Sequence, residues 1–91
     1  MREDDISLLK AANMLDEEAL TAIFDQFAPP IYKFALRSCH LRTVAEEIVG
    51  DVFAQLLEQC AAGKGPTENL QVYLYETANR LLLDRRNVSM I

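Results

Sequence analysis

The residues with the most chemistry to offer fall into two clusters. The first is the stretch YLYETANRLLLDRR, residues 73–86, which carries Tyr73, Tyr75, Asn79, Arg80 and Arg85. Aromatic rings beside guanidinium groups are surfaces on which single-stranded bases stack, each stack being worth ~1–3 kcal/mol. Tyr73, Glu76, Arg80 and Asp84 recur at three- and four-residue steps, which predicts one outward helical stripe. The same stretch has a plainer reading, with Leu74, Ala78, Leu81 and Leu82 as core and both tyrosines at its edge. The second cluster is acidic: Glu46, Glu47 and Asp51, with Glu58 further on. It is either a solvated helix face or a docking face for a basic partner helix, where complementary charge speeds encounter and fixes register. Gly50 lies inside this cluster, and a glycine in a helix interior costs roughly 0.5–1 kcal/mol relative to alanine. A closely approaching partner would explain it, and so would close packing against another helix of the same domain.

Catalytic chemistry finds no comparable set. His40 is the only histidine, no serine sits in a nucleophile motif, and Gly63-Lys64-Gly65 is too short for a phosphate-binding loop. Cys39 and His40 with Cys60 suggest a metal site only until the elements are placed. Each cysteine ends a different helix, and antiparallel packing of helices of about 18 residues would separate them by ~27 Å. Two reduced thiols are expected, with no metal, no cofactor and no enzymatic role.

The elements that must carry these clusters are helices. The chain of 91 residues is 51% hydrophobic, too apolar for disorder and long enough for one modest core. No segment approaches the ~18 apolar residues of a membrane span, and MREDD does not begin a signal peptide, so a cytoplasmic location is expected. The net charge of −5 is concentrated in residues 1–30, where seven acids face Arg2 and Lys10. The remainder is balanced, without the basic stripe usual in nucleic-acid binders.

Helical periodicity predicts an all-α compact bundle of four helices, with a short first helix, a kinked second and two longer ones. The first covers residues 5–13, with Ile6, Leu9, Ala12 and Leu8 inward. The second opens at Asp16, Glu17 and Glu18, where the macrodipole favours anions. Its apolar positions are Leu20, Ile23, Phe24 and Phe27, then Ile31, Phe34 and Ala35. Pro29-Pro30 predicts a kink or brief break between the two sets. The third helix covers 43–61, with Val44, Ile48, Val52, Phe53, Leu56, Leu57 and Cys60 as its apolar arc. Residues 62–66 stop it, Thr67 reads as the cap of the fourth, and that helix runs to about Asn87.

Taken in order, three segments resemble region 2 of the extracytoplasmic-function group of bacterial sigma factors. They are DISLLKAANMLDEEALTAIFDQFAPPIYKFAL, VAEEIVGDVFAQLLE and YLYETANRLLLDRR, which together span most of the 91 residues. The resemblance implies a single domain over 1–91 that binds RNA polymerase core, on the coiled coil of its largest subunit. It also implies recognition and melting of the −10 promoter element as single-stranded DNA, and an anti-sigma factor as a further partner. Carried across, Glu46, Glu47 and Asp51 become polymerase contacts. Promoter contacts fall to the Gly63–Asn69 loop, including Asn69, and to Tyr73, Tyr75, Asn79, Arg80 and Arg85. In the family that loop is implicated in holding a flipped-out base.

Four positions depart from the family pattern. Gly50 stands where glutamine is frequent, Tyr73 replaces a tryptophan, Val44 replaces an acid, and Asn79-Arg80 inverts a common Arg-Asn pair. The second helical domain of such factors, which reads the −35 element, has no counterpart in these residues, as expected of an excised domain or a reduced relative. The alternative from another class is a helical protein-interaction module, a sigma-like decoy or regulator's partner domain, without a DNA role.

Overall fold

Three of the four helices end on a residue with left-handed backbone, and these stops set the architecture. In this computed structural model the backbone is described for residues 3–89 and the side chains for residues 7–85. Helix α1 spans Glu3–Asn13, α2 Glu17–Cys39, α3 Arg42–Ala61 and α4 Leu70–Ser89. After α1, Leu15 takes φ 59°. Its N–H donates to Ala12 O at 2.9 Å and that of Asp16 to Ala11 O at 3.0 Å. Gly63 repeats this doubled stop after α3, at φ 74°, with Gly63 N–H on Cys60 O at 3.1 Å and Lys64 N–H on Gln59 O at 2.8 Å. His40 closes α2 in the same conformation, φ 61°, through one bond to Leu36 O at 2.8 Å. Asp16 serves two helices, because its side chain also accepts from Ala19 N–H at 3.0 Å as the N-cap of α2.

The predicted four-helix, all-α bundle is what forms, and no described residue lies in a strand. The break suggested by Pro29-Pro30 does not occur, since α2 runs on through both prolines. Their missing N–H groups would have served the carbonyls of Asp25 and Gln26. Both residues lie on the exposed side of α2, within reach of water, while Ile23, Ile31 and Ala35 hold the buried side in register. The start of α4 also differs from expectation. Thr67 is an exposed loop residue, and Asn69, at φ 50°, accepts the first helical bond from Tyr73 N–H at 3.1 Å. Residues 64–68 are spent crossing the end of α1, and Leu70 is the first side chain of α4 to enter the core.

That core joins all four helices. Leu9, Ile23, Ile31, Ile48, Val52, Leu56 and Leu74 are its largest enclosed side chains. Ile6 lies outside the described side chains. Helix α2 packs against each of the other three. Two edge-to-face ring pairs bind it to its neighbours: Phe24 with Phe53 at 5.0 Å between centroids, and Phe34 with Tyr75 at 5.3 Å. Phe24 and Leu57, both assigned to the core from periodicity, each leave 45% of their surface in solvent. Both cysteines are free, with Cys60 buried under the α3–α4 loop and Cys39 half-buried at the far end of α2. Among the described residues no helix is long and apolar enough to cross a membrane.

Candidate functional site

Helix α3 carries the acidic cluster because its other face is fully committed to the core. Ala45, Ile48, Val49, Val52, Phe53 and Leu56 are buried, which turns Glu46, Glu47, Gly50, Asp51, Ala54 and Leu57 outward. A Cβ built on Gly50 meets nothing within 4 Å. Packing within the domain therefore does not explain this glycine, and one of the two readings left open by the sequence falls. The three acids fan out across the helix. Glu46 borders a shallow apolar groove between α2 and α3 that Phe24, Pro29, Tyr32, Lys33 and Val49 also line. Asp51 lies on the α4 side, lining a second groove with Val44, Asn79, Leu83 and Arg85. Glu47 pairs with Arg85 of α4, so one residue assigned to polymerase and one assigned to DNA are joined to each other.

The tyrosines of α4 are oriented differently from the stripe that spacing suggested. Tyr73 is half-buried, packs against the core and has its hydroxyl enclosed without a hydrogen-bond partner. Burial pushes its pKa above the ordinary tyrosine value, Cys60 nearby adds to the rise and Arg80 opposes it. Tyr75 is half-buried with its ring on Phe34. Both tyrosines thus sit at the edge of the core, as the plainer reading of the sequence has them. Glu76, Arg80 and Asp84 of the predicted stripe do face outward, joined by Val72, Asn79 and Leu83, of which Val72 and Leu83 are 49% and 48% exposed. Asn69 is exposed at the head of the same helix.

The loop between α3 and α4 is held more tightly than its sequence suggests. Asn13 Nδ2 donates to Leu9 O at 3.0 Å and to Pro66 O at 2.8 Å. A Cβ on Gly65 would overlap Asn13 Oδ1 and lie 2.8 Å from Cys60 Sγ, so only glycine lets the loop settle there without displacing them. Burial beneath this loop raises the Cys60 pKa. Sequence reasoning missed Asn13, and took Gly65 only as part of the stop after α3 and of the following loop. Their spacing of 52 residues leaves no local pattern, and a helix-terminal asparagine reads as a stop.

Taken together, the structure brings Glu47, Asp51, Asn79 and Arg85 to one seam between α3 and α4. It leaves Glu46 on the α2 side and Arg80 on the outer stripe, with Tyr73 and Tyr75 half-buried against the edge of the core. Among the described residues no three His, Cys, Asp or Glu side chains are grouped as a metal would require. No family model, no curated protein and no solved structure matches the chain.

Proposed function

We propose that the domain is a region 2-like transcription-initiation module that acts by binding. It docks on RNA polymerase core through the outer face of α3, against the basic side of a partner helix. It presents the α3–α4 loop and the outer stripe of α4 to the single-stranded −10 element. The observation that carries the docking half is Gly50, an exposed helix-interior glycine with open space around it, set between Glu46, Glu47 and Asp51. Its cost of roughly 0.5–1 kcal/mol has no return inside the domain, whereas a partner helix can approach closely over Gly50 and Ala54. Leu57 supplies exposed apolar area beside them. An anti-sigma factor would compete for the same face.

The test is binding of the purified domain to polymerase core, wild type beside Asp51→Arg. Specific binding that the substitution removes, with unchanged helicity, is the expected result. Binding that survives the reversal would sink the assignment of this face.

A second reading is favoured by the placement of the tyrosines. With Tyr73 and Tyr75 half-buried, the exposed part of α4 offers Arg80 against Glu76 and Asp84, a surface with an excess of negative charge. A protein-interaction module without a DNA role would look the same. Fluorescence anisotropy with a −10-like single strand, in the presence of core, separates the two. A salt-dependent signal lost in Arg80→Ala supports the promoter reading.

A further inference from the structure

Residues 64–69 should be the loosest part of the bundle, since they form no helix and include Gly65 and Pro66. Yet the middle of the loop is clasped. Asn13, the last residue of α1, uses one amide nitrogen to close its own helix on Leu9 O and to hold Pro66 O. The chain at Gly65 lies directly against the Asn13 amide and the Cys60 thiol. Before this clasp, Gly63 fixes the exit from α3; after it, Asn69 fixes the entry to α4. The half-buried Gly65 and Pro66 form the seat, and Lys64, Thr67, Glu68 and Asn69 remain exposed around it.

We propose that Asn13 is a positioning residue for recognition: from α1 it holds the α3–α4 loop in one shape, so that Lys64, Thr67, Glu68 and Asn69 form a preset edge for an unstacked base. This rests on the promoter reading above, and deepens it by assigning the accuracy of the loop to a residue on a different helix. An ordered loop discriminates between bases because its polar groups are fixed before binding, whereas a loose loop adapts to each base and loses selectivity. Asn13 need not touch the base, and its effect reaches the base only through Pro66 and Gly65.

The experiment uses Asn13→Ala and Gly65→Ala in a Cys39→Ser background, leaving Cys60 as the only thiol. Gly65→Ala approaches the clasp from the other side, because its methyl group must displace the Asn13 amide. The first readout is the rate at which a thiol reagent modifies Cys60 in the folded domain, with thermal melting as the check on folding. Release of the clasp is expected to raise that rate by about tenfold through local opening. The second is affinity for four single strands that differ in one base, in the presence of polymerase core. The ratio of best to worst base is expected to fall towards unity in both variants, while affinity for core stays at the wild-type value. An unchanged Cys60 rate in both variants would overturn the clasp. A raised rate with an unchanged base ratio would overturn positioning. A wild type that distinguishes no bases would instead bring down the promoter reading and the recognition edge with it, while the Cys60 rate still decides whether Asn13 holds the loop.

Discussion

Arg85 donates from its guanidinium to a carboxylate oxygen of Glu47, tying the last helix to the third at the surface. The pair joins the start of α3 to the far half of α4, while Cys60 lies beside Tyr73 at the opposite ends, so these two helices run antiparallel. A phosphate that approaches Arg85 must compete with Glu47, and a cation that approaches Glu47 must compete with Arg85.

Both side chains remain substantially in solvent, so the pair is worth about 0.2–1 kcal/mol. A double-mutant cycle with Glu47→Ala and Arg85→Ala, followed by urea unfolding, is expected to return a coupling in that range that vanishes in high salt. A coupling well above it would mean that the pair is shielded from solvent in solution.

Gly50→Ala is expected to stabilise the free domain by roughly 0.5–1 kcal/mol, because the new methyl group enters open space and helix propensity improves. Denaturant midpoints at constant slope check this. Gly50→Leu should be similarly tolerated by the fold yet weaken association with polymerase core, since its bulk stands where the partner approaches. Destabilisation by alanine would show that the glycine serves the fold after all.

Tyr73 gives a signed prediction for alkaline pH. Its pKa is raised in the folded state, so the unfolded chain ionises first as pH climbs through the ordinary tyrosine value. Stability is therefore fully present below that value and is lost as pH rises towards the folded pKa. Cys60, also raised by burial, adds a loss of the same sign beginning at the ordinary thiol value. Tyr73→Phe removes the enclosed, unpartnered hydroxyl, whose desolvation costs ~1–3 kcal/mol. The variant should be at least as stable as wild type at neutral pH and lose less stability between about pH 9 and pH 11, read from thermal melts across that range.

The left-handed helix stops respond to glycine in opposite ways. Leu15 and His40 bear a side chain where the backbone disfavours one, at about 1–2 kcal/mol. After the entropy that glycine adds to the unfolded chain, Leu15→Gly and His40→Gly should each gain roughly 0.5–1 kcal/mol. Gly63→Ala should lose about 1 kcal/mol. Equilibrium unfolding of the three variants tests the sign at each stop.

The helices were legible because three- and four-residue periodicity reports burial directly. Leu9, Ile23, Ile31, Ile48, Val52, Leu56 and Leu74 were all recoverable or adjacent to recoverable positions for that reason. The stop after α3 was legible through Gly63, while those at Leu15 and His40 were not, since their residue types do not announce a left-handed turn. Of the kink or break that Pro29-Pro30 suggested, the break is absent because the packing of Ile31 and Ala35 outweighs local propensity. At the candidate site, charge and exposure of Glu46, Glu47 and Asp51 could be read from helix phase. The inward set of Tyr73, the Glu47–Arg85 pair and the hold of Asn13 on Pro66 depend on which helices meet, and one chain's periodicity carries no record of that.

The proline pair in α2 has a consequence for how the bundle breathes. A helix normally opens by peeling away rung by rung, so an opening begun at one end propagates along it. With two successive rungs absent at Asp25 and Gln26, the segment before the pair can detach together with α1 without drawing the Ile31–Cys39 segment after it. Amide hydrogen exchange should then divide α2 into a faster first half and a slower second half that exchanges with α3 and α4, two cooperative units within one uninterrupted helix.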